Sequence, residues 1–174
     1  MSKQLDHSSH SKIKDKFPIV ILSDNITGEA NIGSLFRLAD AFNIDKIIFT
    51  GTPINIKSNR LKRTARNTFE TVSYIFEEEI HPILQDHIEN GYTPLALEIT
   101  SDSIAIEEYE ILENSKILLI IGNERHGISE KVLQTIPTKL HITMYGNNSS
   151  MNVSQATGIA LYEFSKIFNT FHQK

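Results

Sequence analysis

"KILLIIGNERHGIS", residues 116 to 129, decides the fold class. Apolar residues follow one another without a break from Ile117 to Ile121, a pattern that suits a strand covered on both faces, not one with a wet side. Comparable runs recur in "FPIVILSD" (17 to 24), "DKIIFTG" (45 to 51), "TVSYIF" (71 to 76), "TPLALEIT" (93 to 100) and "KLHITM" (139 to 144). Helical patterning falls between and after them, at about 33 to 43, 58 to 67, 77 to 90, 128 to 135 and 153 to 171. The last of these carries a stripe of Val153, Ala156, Ile159, Ala160, Phe164, Ile167 and Phe168 at three-and-four spacing. The alternation predicts an α/β fold: a mostly parallel sheet with helices on both faces. Ligands of such sheets sit beyond the carboxyl ends of the strands, so function is expected in the loops after residues 50, 98, 122 and 144.

A chain of 174 residues suits one domain, expected over 17 to 174, preceded by a flexible polar arm over 1 to 16. The arm lacks the apolar core of a secretory signal, and no apolar stretch reaches the roughly 20 residues that span a bilayer, so a cytoplasmic protein without a membrane partner is expected. The absence of cysteine excludes disulfides and thiolate chemistry. A formal charge of −4 gives no global pull on nucleic acid. One local patch stands out: Lys57, Arg60, Lys62, Arg63 and Arg66 occupy "KSNRLKRTARN" with no acid among them, as a solvated basic face or an RNA-binding strip. His81, His87, His126 and His141 are expected on separate elements, and none has the i, i+4 spacing of a metal pair, so no metal is expected.

Three polar constellations remain. In "NIGSLFRLADAF", Asn31 reads as a helix cap and Gly33 as a source of backbone freedom at the helix start. Leu35, Phe36, Leu38, Ala39 and Phe42 share the apolar face, while Arg37 and Asp40 point away. Arg37 either pairs with Asp40 or presents its guanidinium to a phosphate or a second subunit. In "IIGNERHGIS" the glycine spacing approaches a phosphate-cradling loop, but Ile128 stands where the lysine belongs and Glu124 sits inside it, which argues against nucleotide hydrolysis. In "MYGNNSSMNVSQA" (144 to 156), Asn152 is a good cap for the last helix. Asn147, Asn148, Ser149 and Ser150 exceed what a cap needs and suit recognition of a polar ligand edge or a ribose.

Together the three segments resemble the motifs of the TrmH-like family in the SPOUT superfamily of RNA methyltransferases, over about Pro18 to Phe168. The first motif is carried by Asn31, Gly33 and Arg37, the second by Gly122, Glu124 and Gly127, and the third by Ser150, Met151, Asn152, Val153 and Ser154. One departure is Thr143, between Ile142 and Met144, where the family usually has proline; retained binding with slightly altered loop stiffness is expected. The resemblance implies a deep C-terminal trefoil knot. It implies S-adenosylmethionine held around Gly122, Ile142, Met144 and Met151, with Glu98 or Ile99 at the neighbouring loop, and a minimal member without a long appended RNA-binding domain. It also implies a homodimer in which Arg37 of one copy completes the site of the other.

The implied reaction is methyl transfer to a ribose 2′-hydroxyl of tRNA or rRNA. A free guanidinium titrates above about 12 and makes a poor base, so Arg37 is expected to hold the adjacent phosphate while water or another acceptor takes the proton. Asn31, Glu124, Ser150 and Asn152 would orient the nucleotide, and the basic strip would follow the RNA backbone. The alternative is a catalytically inactive RNA-binding or assembly factor on the same fold.

Overall fold

The computed structural model describes residues 15–172. Its elements run β1 (Phe17–Asp24), α1 (Glu29–Ala41), β2 (Ile44–Thr50), α2 (Asn59–Ala65), β3 (Tyr74–Glu77), α3 (Ile80–Glu89), β4 (Tyr92–Leu97), β5 (Ile104–Ala105), β6 (Lys116–Ile121), α4 (Glu130–Thr135), β7 (Thr138–His141) and α5 (Val153–His172). Short 3-10 turns cover Thr68–Glu70 and Ile106–Glu108. The strands form one seven-stranded sheet in the order β3-β2-β1-β6-β4-β7-β5, and each neighbouring pair is parallel.

The unbroken apolar runs are explained by the two layers. Ile19 and Ile21 of β1, with Ile117, Leu119 and Ile121 of β6, pack on one face with Leu35 and Phe36 of α1, Leu61 of α2, and Leu161 and Phe164 of α5. Val20, Leu22, Leu118 and Ile120 point the other way, into a smaller cluster with Leu84 of α3 and Val132 of α4. Alternate residues of a strand therefore serve opposite cores, and neither parity can be polar. Phe36 is fully buried and meets the Tyr74 ring edge-on at 5.1 Å between centroids, so its truncation to alanine costs about 3–5 kcal/mol.

Several expectations change. Helix α1 begins at Glu29 after Gly28, so Asn31 lies within the first turn and is not its cap. Gly33 is buried in the helix, where a Cβ would come 2.8 Å from Thr64 Cβ and 2.9 Å from the Leu61 carbonyl. Its role is close packing of α1 on α2, not backbone freedom. Strand β4 ends at Leu97 and β7 at His141, which leaves Glu98, Ile99, Ile142, Thr143 and Met144 in loops. Strand β3 starts only at Tyr74, α3 starts at Ile80, and β5 was not expected. His81 and His87 share α3; His87 is buried, with Nδ1 2.8 Å from the Ile83 carbonyl oxygen.

Residues 1 to 14 of the expected arm lie outside the described residues. Asp15 and Lys16 are tied to the body: the Asn43 side-chain amide donates to the Asp15 carbonyl at 2.9 Å, and Lys16 Nζ donates to the Asp45 carbonyl at 2.8 Å.

Candidate functional site

The carboxyl ends of β4, β6 and β7 open toward the start of α5 around a cavity of about 530 Å³, within the usual range for small-molecule sites. Glu98, Ile99, Gly122, Ile142, Met144 and Met151 all line it, as do Glu124, Ser150 and Asn152.

The loop after β6 is closed on itself. The amide of Asn123 donates to the Gly127 carbonyl at 3.0 Å, and that of Gly127 returns to Asn123 at 2.9 Å. Asn123 Oδ1 accepts from the amides of Arg125 and His126 at 2.9 and 3.2 Å, while its side-chain amide donates to the Asn25 carbonyl at 2.8 Å. Glu98 Oε2 accepts from the Ile128 amide at 3.0 Å, and Asp24 Oδ2 accepts from the Ser129 amide at 2.7 Å. Amides that a phosphate cradle would leave pointing at an anion are thus consumed within the protein, which disposes of the nucleotide-loop reading. The two glycines are needed sterically. A Cβ at Gly122 would lie 2.1 Å from the Gly127 carbonyl carbon, and Gly127 has φ +66.

Glu124 leaves this loop for the start of α1. Its Oε1 accepts from the Gly28 amide at 2.7 Å and from Asn31 Nδ2 at 3.0 Å, and its Oε2 accepts from the Thr27 amide at 3.3 Å. The carboxylate thereby caps α1 from 93 or more positions away, where the helix dipole favours negative charge. Burial alone would raise its pKa; hydrogen bonds from Asn31 and from the amides of Glu124 itself, Gly28 and Thr27 outweigh that and hold the carboxyl below its ordinary range.

The third segment closes the circuit. Asn152 Nδ2 donates to Asn31 Oδ1 at 2.9 Å. Asn152 Oδ1 accepts from the Ser154 amide at 2.9 Å and the Ser154 hydroxyl at 2.7 Å, so Asn152 caps α5 as expected. The three polar constellations are therefore joined as Asn152, Asn31 and Glu124 in hydrogen-bonded series.

Not all candidate residues gather there. Arg37 is exposed on α1, and among the described residues its side chain has neither hydrogen-bond nor ion-pair partner, so of its two alternatives the pairing with Asp40 is not made. Arg60, Lys62 and Arg63 project from α2, Lys57 precedes it, and Arg66 ends it at φ 55; all five are exposed. Sequence reasoning passed over Asp24, Asn25 and Asn123, which buttress the loops, and weighed His141 only as a metal ligand; its Nδ1 lies 3.0 Å from Ser103 Oγ at the cavity wall. Their only signal was polarity at strand ends.

The cavity is chemically mixed. Apolar Leu97, Leu140, Ile142, Met144 and Met151 can enclose a flat heteroaromatic group, while the carboxylates of Glu98 and Glu124 accept from the protein's own donors at the edge of the cavity. Among the described residues no cluster of three His, Cys, Asp or Glu side chains could hold a metal ion, and no helix is long and apolar enough to cross a membrane.

The model of the SpoU rRNA Methylase family matches residues 18–162. The tRNA (guanosine(18)-2′-O)-methyltransferase of Aquifex aeolicus is 25% identical over 166 residues, covering 94% of this chain and 76% of that protein. Three further curated relatives are longer, and the chain spans 57%, 61% and 63% of them. The fold matches the crystal structure of the A. aeolicus TrmH/SpoU tRNA modifying enzyme with TM-score 0.80 at 23% identity, over 92% of this chain and 81% of that one. It matches the AdoMet-bound rRNA methyltransferase of Sinorhizobium meliloti with TM-score 0.77 at 22% identity, over 86% and 56%.

Proposed function

The chain belongs to the SpoU rRNA Methylase family, and on that premise we propose that it is an S-adenosylmethionine-dependent methyltransferase acting on a ribose 2′-hydroxyl of tRNA or rRNA. The observation that carries this reading is the hydrogen-bonded series Asn152, Asn31, Glu124, which draws three distant segments together beside one cavity. A relative at 25% identity is named for this reaction on guanosine in tRNA, and a structural neighbour is named as AdoMet-bound.

Glu98, Ile99, Gly122, Ile142, Met144 and Met151 hold the cofactor, mainly through main chain and apolar contact. When bound, it supplies an electrophilic methyl group. The protein's own task is alignment of the ribose hydroxyl and removal of its proton to water or another acceptor. Arg37 grips the phosphate beside the target ribose and stabilises developing negative charge on the hydroxyl oxygen. Ser150 and Asn152 orient the nucleotide, while Asn31 and Glu124 fix the start of α1, the helix that carries Arg37. Lys57, Arg60, Lys62, Arg63 and Arg66 follow the RNA backbone.

The working unit is a homodimer in the cytoplasm, with Arg37 of one copy completing the site of the other. Support comes from the unpaired Arg37 and from exposed Ile159 and Tyr162 on α5, which packs beside α1. Residues 17 to 174 form one catalytic domain whose C-terminal segment is threaded as a trefoil knot. This threading is supported by β7 lying between β4 and β5, both earlier in the chain, and by α4 and α5, which precede and follow β7, packing into opposite cores.

Calorimetric titration with S-adenosylmethionine, paired with methyl transfer to RNA, tests the reading. Arg37→Ala is expected to abolish transfer and keep cofactor affinity. Equal loss of both in a folded variant would remove Arg37 from the proposed role, and a wild-type protein that binds RNA but no cofactor would be a binding or assembly factor instead. Ribose-methylation mapping of total RNA from cells with and without the gene identifies the target.

A further inference from the structure

Tyr145 is 92% exposed, the most exposed of the large hydrophobic side chains on this surface. It sits in sequence between Met144 and Ser150, both of which line the cavity. Every residue from Tyr145 to Ser150 is exposed, and among the described residues the side chains of Tyr145, Asn147, Asn148, Ser149 and Ser150 make no hydrogen bond. A Cβ added at Gly146 would have nothing within 4 Å. The segment thus projects beside the cavity with an aromatic ring and four hydrogen-bonding side chains unsatisfied by the protein.

We infer that Tyr145 is a stacking platform for an unpaired RNA base beside the target ribose, with the side chains of Asn147 to Ser150 meeting base edges and 2′-hydroxyls. The chemistry favours a base over a protein partner. The core of a protein interface is apolar, whereas the residues that follow Tyr145, from Gly146 to Ser150, are glycine and polar ones. A base needs only a ring face and polar edges, and stacking on an aromatic ring is how unpaired RNA is commonly held. No Asp or Glu occurs between His141 and Glu163, so the segment carries no charge that would repel phosphates. This inference rests on the RNA methyltransferase reading above.

The chain has no tryptophan, so full-length Tyr145→Trp carries a single indole reporter at the proposed platform. A pool of stem–loop RNAs with mixed-sequence loops should quench its emission, and a blunt duplex of the same stem should not. Tyr145→Ala should weaken stem–loop binding about tenfold, and Tyr145→Phe should restore it, because the ring face and not the hydroxyl carries the contact. Emission unchanged by the stem–loop pool, or wild-type affinity in Tyr145→Ala, overturns the inference. So does emission that varies with protein concentration and shows no further response to RNA, which assigns the ring to contact between copies. Cofactor titration of the same Tyr145→Trp protein separates the two levels. Quenching by RNA without cofactor uptake keeps the platform and rejects the methyltransferase reading; cofactor uptake without quenching does the reverse.

Discussion

Asn152 donates its side-chain amide to Asn31 Oδ1 at 2.9 Å across 121 positions of chain. Asn31 passes the polarity on, donating through Nδ2 to Glu124 Oε1 at 3.0 Å. It must accept on one side and donate on the other, which a carboxylate cannot do. Asn31→Asp places a negative charge against Glu124 and should destabilise the fold by about 2 kcal/mol, with Asn31→Ala nearer about 1 kcal/mol. Urea unfolding of Asn31→Ala, Asn152→Ala and the double variant should show a coupling of about 0.5 kcal/mol or more. Simple additivity would mean that the bond contributes nothing to stability.

The Glu124 carboxyl gives the fold a definite pH dependence. Its pKa is lower in the folded state than in the unfolded chain, so its contribution is present above the ordinary glutamate range and is lost as pH falls through the depressed folded value. Glu124→Gln should therefore be less stable than wild type at neutral pH. The gap between their urea midpoints should narrow progressively as pH falls below the ordinary glutamate range. A gap independent of pH would show that shape, not charge, holds the start of α1.

Gly122→Ala forces a Cβ into the Gly127 main chain, which cannot give way as a flexible side chain could. Reopening the loop after β6 should lower stability by about 1–3 kcal/mol and remove calorimetrically detectable binding of S-adenosylmethionine. Retained affinity at wild-type strength would place the cofactor elsewhere.

Thr143 stands between Ile142 and Met144, and its hydroxyl donates to Glu107 Oε1 at 3.1 Å, linking the loop after β7 to the 3-10 turn that follows β5. The bond is exposed and worth about 0.5–1 kcal/mol. Thr143→Val should weaken cofactor binding by no more than about threefold. A tenfold loss would make the hydroxyl the main restraint on Met144.

RNA binding should weaken with salt in proportion to the phosphates met by the basic strip. Arg60→Gln with Arg63→Gln should reduce the slope of log affinity against log salt by about 1.4 for a single-stranded contact, or about 1.8 for a duplex. An unchanged slope would mean that α2 does not touch RNA.

The α/β class and the positions of most elements were legible because the unbroken apolar runs reflect burial on both sheet faces. Where those runs cease to be strand was not. Glu98, Ile99 and Ile142 to Met144 look like strand continuations, and only the pairing partners end them at Leu97 and His141. The two-residue β5 is too short to leave a periodic trace. The role of Asn31 was misread for a related reason: the cap of α1 is supplied by Glu124, and a cap from another segment leaves no local signature at Gly28. Of the candidate site, Glu98, Ile99, Gly122, Ile142, Met144 and Met151 came from the family resemblance, while Leu97, Leu140 and Asn123 in the lining, and Asp24 and Asn25 behind it, became visible only once the strands were in place.

The cavity walls lie at residues 97 to 100, 122 to 128 and 140 to 156, and the cap that Glu124 makes reaches back to residues 27, 28 and 31. A ribosome delivers these pieces in order, so the earliest wall waits for more than fifty residues of further synthesis before the last one can dock. Nascent chains of this protein therefore have no complete cavity until Ala156 has been made, and a ligand that fills the cavity cannot assist folding before then.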